Sequence, residues 1–195
     1  MKRQEPVGEA LVEGAVKPTP WAKVRERLEN PRADQTYWLA TVRPGGQPHV
    51  MPLIGLWIDD GFYFITGRQT RKARNLSHDQ RCVVTAGSKK LPSIDIVMEG
   101  AAKRVANRPQ LTRVAEAYRK MGWPLKVRGA ALVGPNAPTA GPPPYTVYKV
   151  KPDTVFGLPG LAGMQRGSIT PTKWRFVGTA GGSDRRHKRP ATSSA

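Results

Sequence analysis

Cysteine is nearly absent from this sequence. Cys82 is the single one in 195 residues, which excludes an intrachain disulfide framework and fits a reducing cytoplasm. Acidic residues are scarce as well: 14 stand against 32 basic ones, for a formal charge of +18. That balance favours anionic partners such as a phosphorylated cofactor, a polyanionic tail or nucleic acid. No apolar run reaches the roughly 18 residues a membrane helix needs. Met1-Lys-Arg-Gln-Glu5 is not followed by an apolar leader, so a soluble, cytoplasmic protein is expected. There are three histidines, His49, His78 and His187. No cluster of His, Cys, Asp and Glu has ligand spacing, and no metal site is expected. Paired carboxylates and a nucleophile beside a base are also missing, which leaves the catalytic residues unassigned.

What the chain does have is turn residues and aromatics. With 19 Pro and 20 Gly it turns often, and five Trp, five Tyr and four Phe can fill one substantial core. One domain is the expectation, over 19–177, with a flexible segment at 1–18 and a basic, disordered tail at 178–195. Tyr37–Arg43, His49–Trp57 and Phe62–Thr66 alternate with Pro44-Gly-Gly46 and Asp59-Asp-Gly61, a pattern that predicts an antiparallel meander. Next comes Thr66-Gly-Arg-Gln-Thr-Arg-Lys-Ala-Arg-Asn-Leu76. A helix starting at Arg71 and capped by Thr70 would present unpaired amides, a partial positive charge, and the side chains of Arg71 and Lys72. Phosphate is the natural occupant of such a place, and an ordinary solvated basic helix start is the alternative.

Taken in order, Thr19 and Pro20 predict the start of a helix carrying Trp21, Val24 and Leu28 on one face, with Thr19 as cap. The segment His49–Ile58 is apolar on both faces, so it needs cover on two sides. Pro52 lacks an amide, which puts this strand at an edge or interrupts its ladder. Arg81–Thr85 and Asp95–Val105 read as strands joined by a basic loop around Lys89-Lys90-Leu-Pro92, with Gly100 marking a bulge or a close approach. Pro109–Lys120 reads as an amphipathic helix with Leu111, Val114, Ala115 and Tyr118 inward. The segment Gly122–Pro144 is irregular and predicts a long loop or lid bordering a cleft. Tyr145–Lys151, extending towards Phe156, and Lys173–Val177 read as strands.

These pieces carry a resemblance. Tyr37-Trp-Leu-Ala-Thr41, Gly46-Gln-Pro-His-Val-Met-Pro52, Phe62-Tyr-Phe-Ile-Thr66, Thr70-Arg-Lys-Ala-Arg-Asn-Leu76, Val97-Met-Glu-Gly-Ala101 and Thr172-Lys-Trp-Arg-Phe176 resemble the pyridoxamine 5′-phosphate oxidase-like split β-barrel superfamily. Within it they are similar to the flavin/deazaflavin oxidoreductases that use coenzyme F420. The resemblance implies a mainly β (α+β) fold: an antiparallel split β-barrel with flanking helices. It implies a homodimer with coenzyme F420, or alternatively FMN, at the subunit interface, and hydride transfer to a small organic acceptor. By the same resemblance His49, Val50, Met51 and Pro52 line the ring, and Ile65, Thr66, Thr70, Arg71 and Lys72 hold the phosphate. Asn75 supports them from behind, and Trp174 and Arg175 contribute from the C-terminal motif. The paired arginines that hold pyridoxal phosphate in the oxidase have no counterpart here, so that reaction is not implied. Two rival readings stand: a non-catalytic flavin or F420 carrier on the same fold, and a nucleic-acid-binding protein using the tail cations Arg185, Arg186, Lys188 and Arg189. For the second, no recognition helix or RNA-stacking motif is present.

Overall fold

The computed structural model describes residues 5–14, 16–31, 35–87, 94–160 and 169–176. The expectations for the tail cations and for the Lys89–Pro92 loop lie outside those residues. Among the described residues the chain forms strands Val7–Ala10 (β1), Tyr37–Val42 (β2), Pro48–Leu53 (β3), Gly55–Ile58 (β4), Gly61–Gly67 (β5), Arg81–Ala86 (β6), Ile94–Val105 (β7), Lys126–Arg128 (β8), Ala131–Val133 (β9), Tyr145–Pro159 (β10) and Thr172–Arg175 (β11). The helices are Trp21–Glu29 (α1), Arg71–His78 (α2) and Arg108–Lys120 (α3). None is long and apolar enough to cross a membrane.

All strand pairs are antiparallel, and one path runs β1-β11-β10-β7-β6-β2-β3. The long strand β10 makes the split. Its first half lies between β5 and β7, and its second half between β7 and β11. Between the halves the register shifts at Asp153, opposite Gly100. A Cβ on Gly100 would stand 2.5 Å from the Lys151 carbonyl oxygen, so the bulge and the close approach expected of this glycine occur together. The result is the mainly β split barrel, with three helices against it.

Two apolar clusters fill the fold. Inside the barrel Phe62, Phe64, Met98 and Trp174 pack with Trp21, Val24 and Leu28 of α1, the face its spacing predicted. A second cluster joins Leu111, Val114, Ala115 and Tyr118 of α3 to Tyr63, Ile65 and the β8–β9 hairpin.

Four local readings need correction. Thr19 does not cap α1. Pro20 holds the extended cap position, while the Thr19 hydroxyl donates to the Thr170 carbonyl at 2.9 Å and its amide donates to Thr172 Oγ1 at 2.9 Å. The N-terminal segment is not wholly loose, because β1 pairs with β11 and Gly8 lets its backbone lie against the Trp174 ring. The segment after α3 contains the β8–β9 hairpin, so only its second half is irregular. Finally, the second meander strand is two strands. It breaks at Ile54, whose carbonyl accepts from the Tyr118 hydroxyl at 3.1 Å.

Candidate functional site

The segment expected to hold an anion lies where β5 ends and α2 begins. Thr70 is extended, with φ −68° and ψ 153°, and its side chain accepts from the Ala73 amide. Its hydroxyl donates to the Gly67 carbonyl at 2.9 Å and lies 2.7 Å from the Thr66 hydroxyl. Because the Thr70 proton is on Gly67, Thr66 donates in that pair. Thr70 is therefore spent on capping, and its own amide also bonds to Gly67. The first turn leaves the amides of Arg71 and Lys72 without an intrahelical acceptor. On the edge away from β10, β4 begins at Gly55 opposite Phe64, so β4 does not reach Ile65 and Thr66. The Ile65 side chain is buried in the second cluster, which leaves only its backbone to face a ligand.

β3 supplies the other wall. It is the edge strand of the path, one of the two placements a proline at 52 allows. Pairing with β2 puts His49, Met51 and Leu53 on the barrel side with Thr41, Leu39 and Tyr37. Val50 and Pro52 face outward with Ala40 and Trp38. Apart from Leu53 the strand is poorly covered: Val50 is 51% exposed, Met51 37% and the neighbouring Trp38 47%.

His49 links the two walls. Its Nδ1 is shut off from solvent and has no partner. Burial holds the imidazole below its ordinary titration range, and Arg43, Arg71 and Lys72 push it further the same way. The charged groups acting on His49 are thus all cations. Behind it, the Asn75 amide donates to Thr41 Oγ1 at 2.9 Å, and the Thr41 hydroxyl reaches the His49 carbonyl at 3.4 Å. Asn75 Oδ1 is buried without a partner.

Two expected members are placed elsewhere. Trp174 is 1% exposed and its ring packs on Trp21, centroids 5.6 Å apart. It is a core residue, because β11 turns that side of its alternation into the barrel. Arg175 is exposed and pairs with Val7 and Thr154, at the opposite end of the strand path from β3. A third, Lys72, belongs to the cluster by position but not by contact. It is 3% exposed, and its ammonium donates to the Thr139 carbonyl.

Composition and spacing carry no functional signal for Thr41, Arg43, Arg68 or Gly67. Arg68, Gln69 and Thr70 line a cavity of about 420 Å³ whose far wall is Pro142, Pro143 and Pro144. The proline run itself was the legible clue. Burial pushes the Cys82 thiol up to about 12, so it stays protonated and no thiolate chemistry is available. Among the described residues no three His, Cys, Asp or Glu could hold a metal ion together.

The Pyridoxamine 5'-phosphate oxidase family profile matches residues 21–158. The chain belongs to that family. Several solved structures are alike in fold at low identity. A conserved hypothetical protein of Mycobacterium tuberculosis, Rv2991, is 19% identical with a TM-score of 0.57, over 76% of this chain and 89% of that one. A putative pyridoxamine 5'-phosphate oxidase from Listeria innocua is 20% identical with a TM-score of 0.52, over 70% and 96%. General Stress Protein 26 from Bacillus anthracis is 20% identical with a TM-score of 0.51, over 71% and 94%. No curated protein matches the sequence. The match spans α1 through all but the last residue of β10, and so every element of the cluster around His49 and Arg71.

Proposed function

We propose that this family member is an oxidoreductase that binds a phosphorylated, flavin-type coenzyme and passes hydride to a small organic acceptor. Coenzyme F420 is the first choice, on the resemblance of its motifs, and FMN the second. The observation that carries the reading is the meeting of the α2 start with His49 in one corner where every acting charge is positive.

The residues fit such a group. Unpaired amides at the start of α2, with the exposed Arg71 and Arg68 beside them, suit a phosphate. The buried, unpartnered Nδ1 of His49 and the apolar groups of Val50, Met51 and Pro52 suit the rim and face of a flat heterocycle. A bound flavin or deazaflavin supplies the hydride chemistry, while the chain supplies orientation, exclusion of water and compensating charge. The exposed apolar strip of Trp38, Val50 and Ile54 supports the homodimer, since a second copy would give β3 the cover it lacks. The nucleic-acid reading rests on overall charge and on tail cations outside the described residues.

Equilibrium dialysis of the apoprotein against FMN and against F420, read by absorbance, tests the proposal and separates the two coenzymes. Binding of neither would sink it. Arg71→Ala should weaken the bound coenzyme by about 1.5 kcal/mol, the low end for a charge-assisted contact because Arg71 is exposed and screened.

A further inference from the structure

The segment from Ala137 to Pro144 is fastened across the end of β5. Its turn is closed by the Ala140 and Gly141 amides, which donate to the Ala137 carbonyl at 3.1 and 3.0 Å. Two donors from the anion site hold it in place: the Gly67 amide on the Ala140 carbonyl at 2.6 Å, and the Lys72 ammonium on the Thr139 carbonyl. The fit is close. A Cβ on Gly67 would stand 2.7 Å from the Pro142 carbonyl oxygen and 2.9 Å from that of Ala140. Gly141 has φ +71°, and a Cβ there would lie 3.1 Å from Thr70 Cγ2. The prolines that follow form the wall of the 420 Å³ cavity facing Gly67–Thr70.

We propose that Lys72 is a positioning residue and not a phosphate ligand: together with the Gly67 amide it latches the Ala137–Pro144 strap, and the strap's prolines decide what can lie beside the phosphate. A buried ammonium needs a partner, and an unmade bond there is costly. The Thr139 carbonyl is that partner, and a phosphate could reach the amine only after the strap had left. Burial also lowers the Lys72 amine from its ordinary range, the direction expected for a cation held by one neutral carbonyl. A wall of pyrrolidine rings is rigid, lacks amide donors and offers flat apolar contact, so it favours phosphate esters carrying an apolar or aromatic body over bare phosphate. The latch does not depend on the coenzyme reading; the wall's part in ligand choice rests on it.

The test uses the full chain as wild type, Lys72→Met and Gly67→Ala, with amide hydrogen exchange and FMN binding in competition with inorganic phosphate. Lys72→Met should speed exchange at the Gly67 amide by at least about tenfold as the strap loosens. It should weaken FMN by about tenfold, the worth of one charge-assisted bond, and leave inorganic phosphate within about twofold. Unchanged exchange at Gly67, with FMN and phosphate weakened in parallel, would make Lys72 a direct ligand and overturn the proposal. Should Lys72→Met fail to fold, Gly67→Ala pushes the strap outward with Lys72 intact. Faster exchange at the Gly141 amide with the same split between FMN and phosphate supports the latch, and no change in either overturns it. Wild type that binds neither FMN nor F420 would sink the coenzyme reading, while exchange at Gly67 still decides the latch.

Discussion

The side-chain amide of Asn75 and the hydroxyl of Thr41 lie 2.9 Å apart, both buried, one on α2 and the other on β2. Through the Thr41 hydroxyl this bond continues to the carbonyl of His49. The helix that presents the cations is thereby tied to the backbone of the strand that presents the imidazole.

Asn75→Ala should lower stability by about 1–3 kcal/mol, because it removes a buried donor and leaves Thr41 short of its partner. The check is urea unfolding, with the midpoint falling at unchanged slope. Asn75→Leu should not recover the loss, since the Thr41 oxygen still lacks a donor. A midpoint equal to wild type in both variants would mean that the link has no energetic weight.

His49 predicts a pH dependence whose sign is fixed. Its folded-state titration lies below that of an ordinary imidazole, so the unfolded chain takes up the proton first. The contribution of His49 to stability is complete above about pH 6.5 and is lost as the pH falls through the folded value. His49→Gln should flatten that part of the curve. A dianionic phosphate bound beside Arg43 and Arg71 should raise the His49 titration, so binding below neutrality takes up protons. Calorimetry in two buffers of different ionisation enthalpy reads the uptake, and its persistence in His49→Gln would assign it to another group.

Much of this was legible in the chain itself. Alternation and turn residues located β2, β5 and α3, because apolar periodicity is a local property. Thr70 gave the start of α2, since a capping side chain bonds its own helix. Pro52 lacking an amide left an edge or an interrupted ladder open for β3, and the fold takes the edge. What escaped depends on distant partners. β1 pairs only because Gly8 accommodates Trp174, 166 residues away in sequence, and the break at Ile54 is met by a hydroxyl from α3. Lys72 is the sharpest case. A lysine in a run of cations at a helix start reads as a phosphate ligand or else as a solvated charge, and only the folded-back Thr139 carbonyl makes its burial tolerable. Trp174 was misplaced for a related reason, since its motif says nothing about which face of β11 turns inward.

Gly55, the first residue of β4, meets Phe62 so closely that a Cβ on it would stand 2.0 Å from the ring's Cζ. Phe62 is fully buried and cannot swing away. Gly55→Ala should cost about 1–3 kcal/mol through overpacking, read as a lower melting temperature. The accompanying change Phe62→Leu should return part of the loss, because the two residues share one volume. Additive losses in the double variant would show that the clash is relieved elsewhere.

The outward side of β2 and β3 makes the last prediction. Trp38 and Pro52 are paired across the strands, as are Ala40 and Val50. A row of apolar groups on an edge strand invites association unless it is covered. A self-associating surface meets its own copy, so a charge introduced once per chain enters the contact twice. Val50→Asp should therefore convert a dimer in sedimentation velocity to monomer while leaving the far-ultraviolet dichroism unchanged, since Val50 is half exposed in the single chain. Under the proposed reading the same variant should lose coenzyme affinity, because the ring site would lose its second wall. A wild-type chain that sediments as a monomer at micromolar concentration, or a Val50→Asp variant that stays dimeric, would remove β3 from the interface.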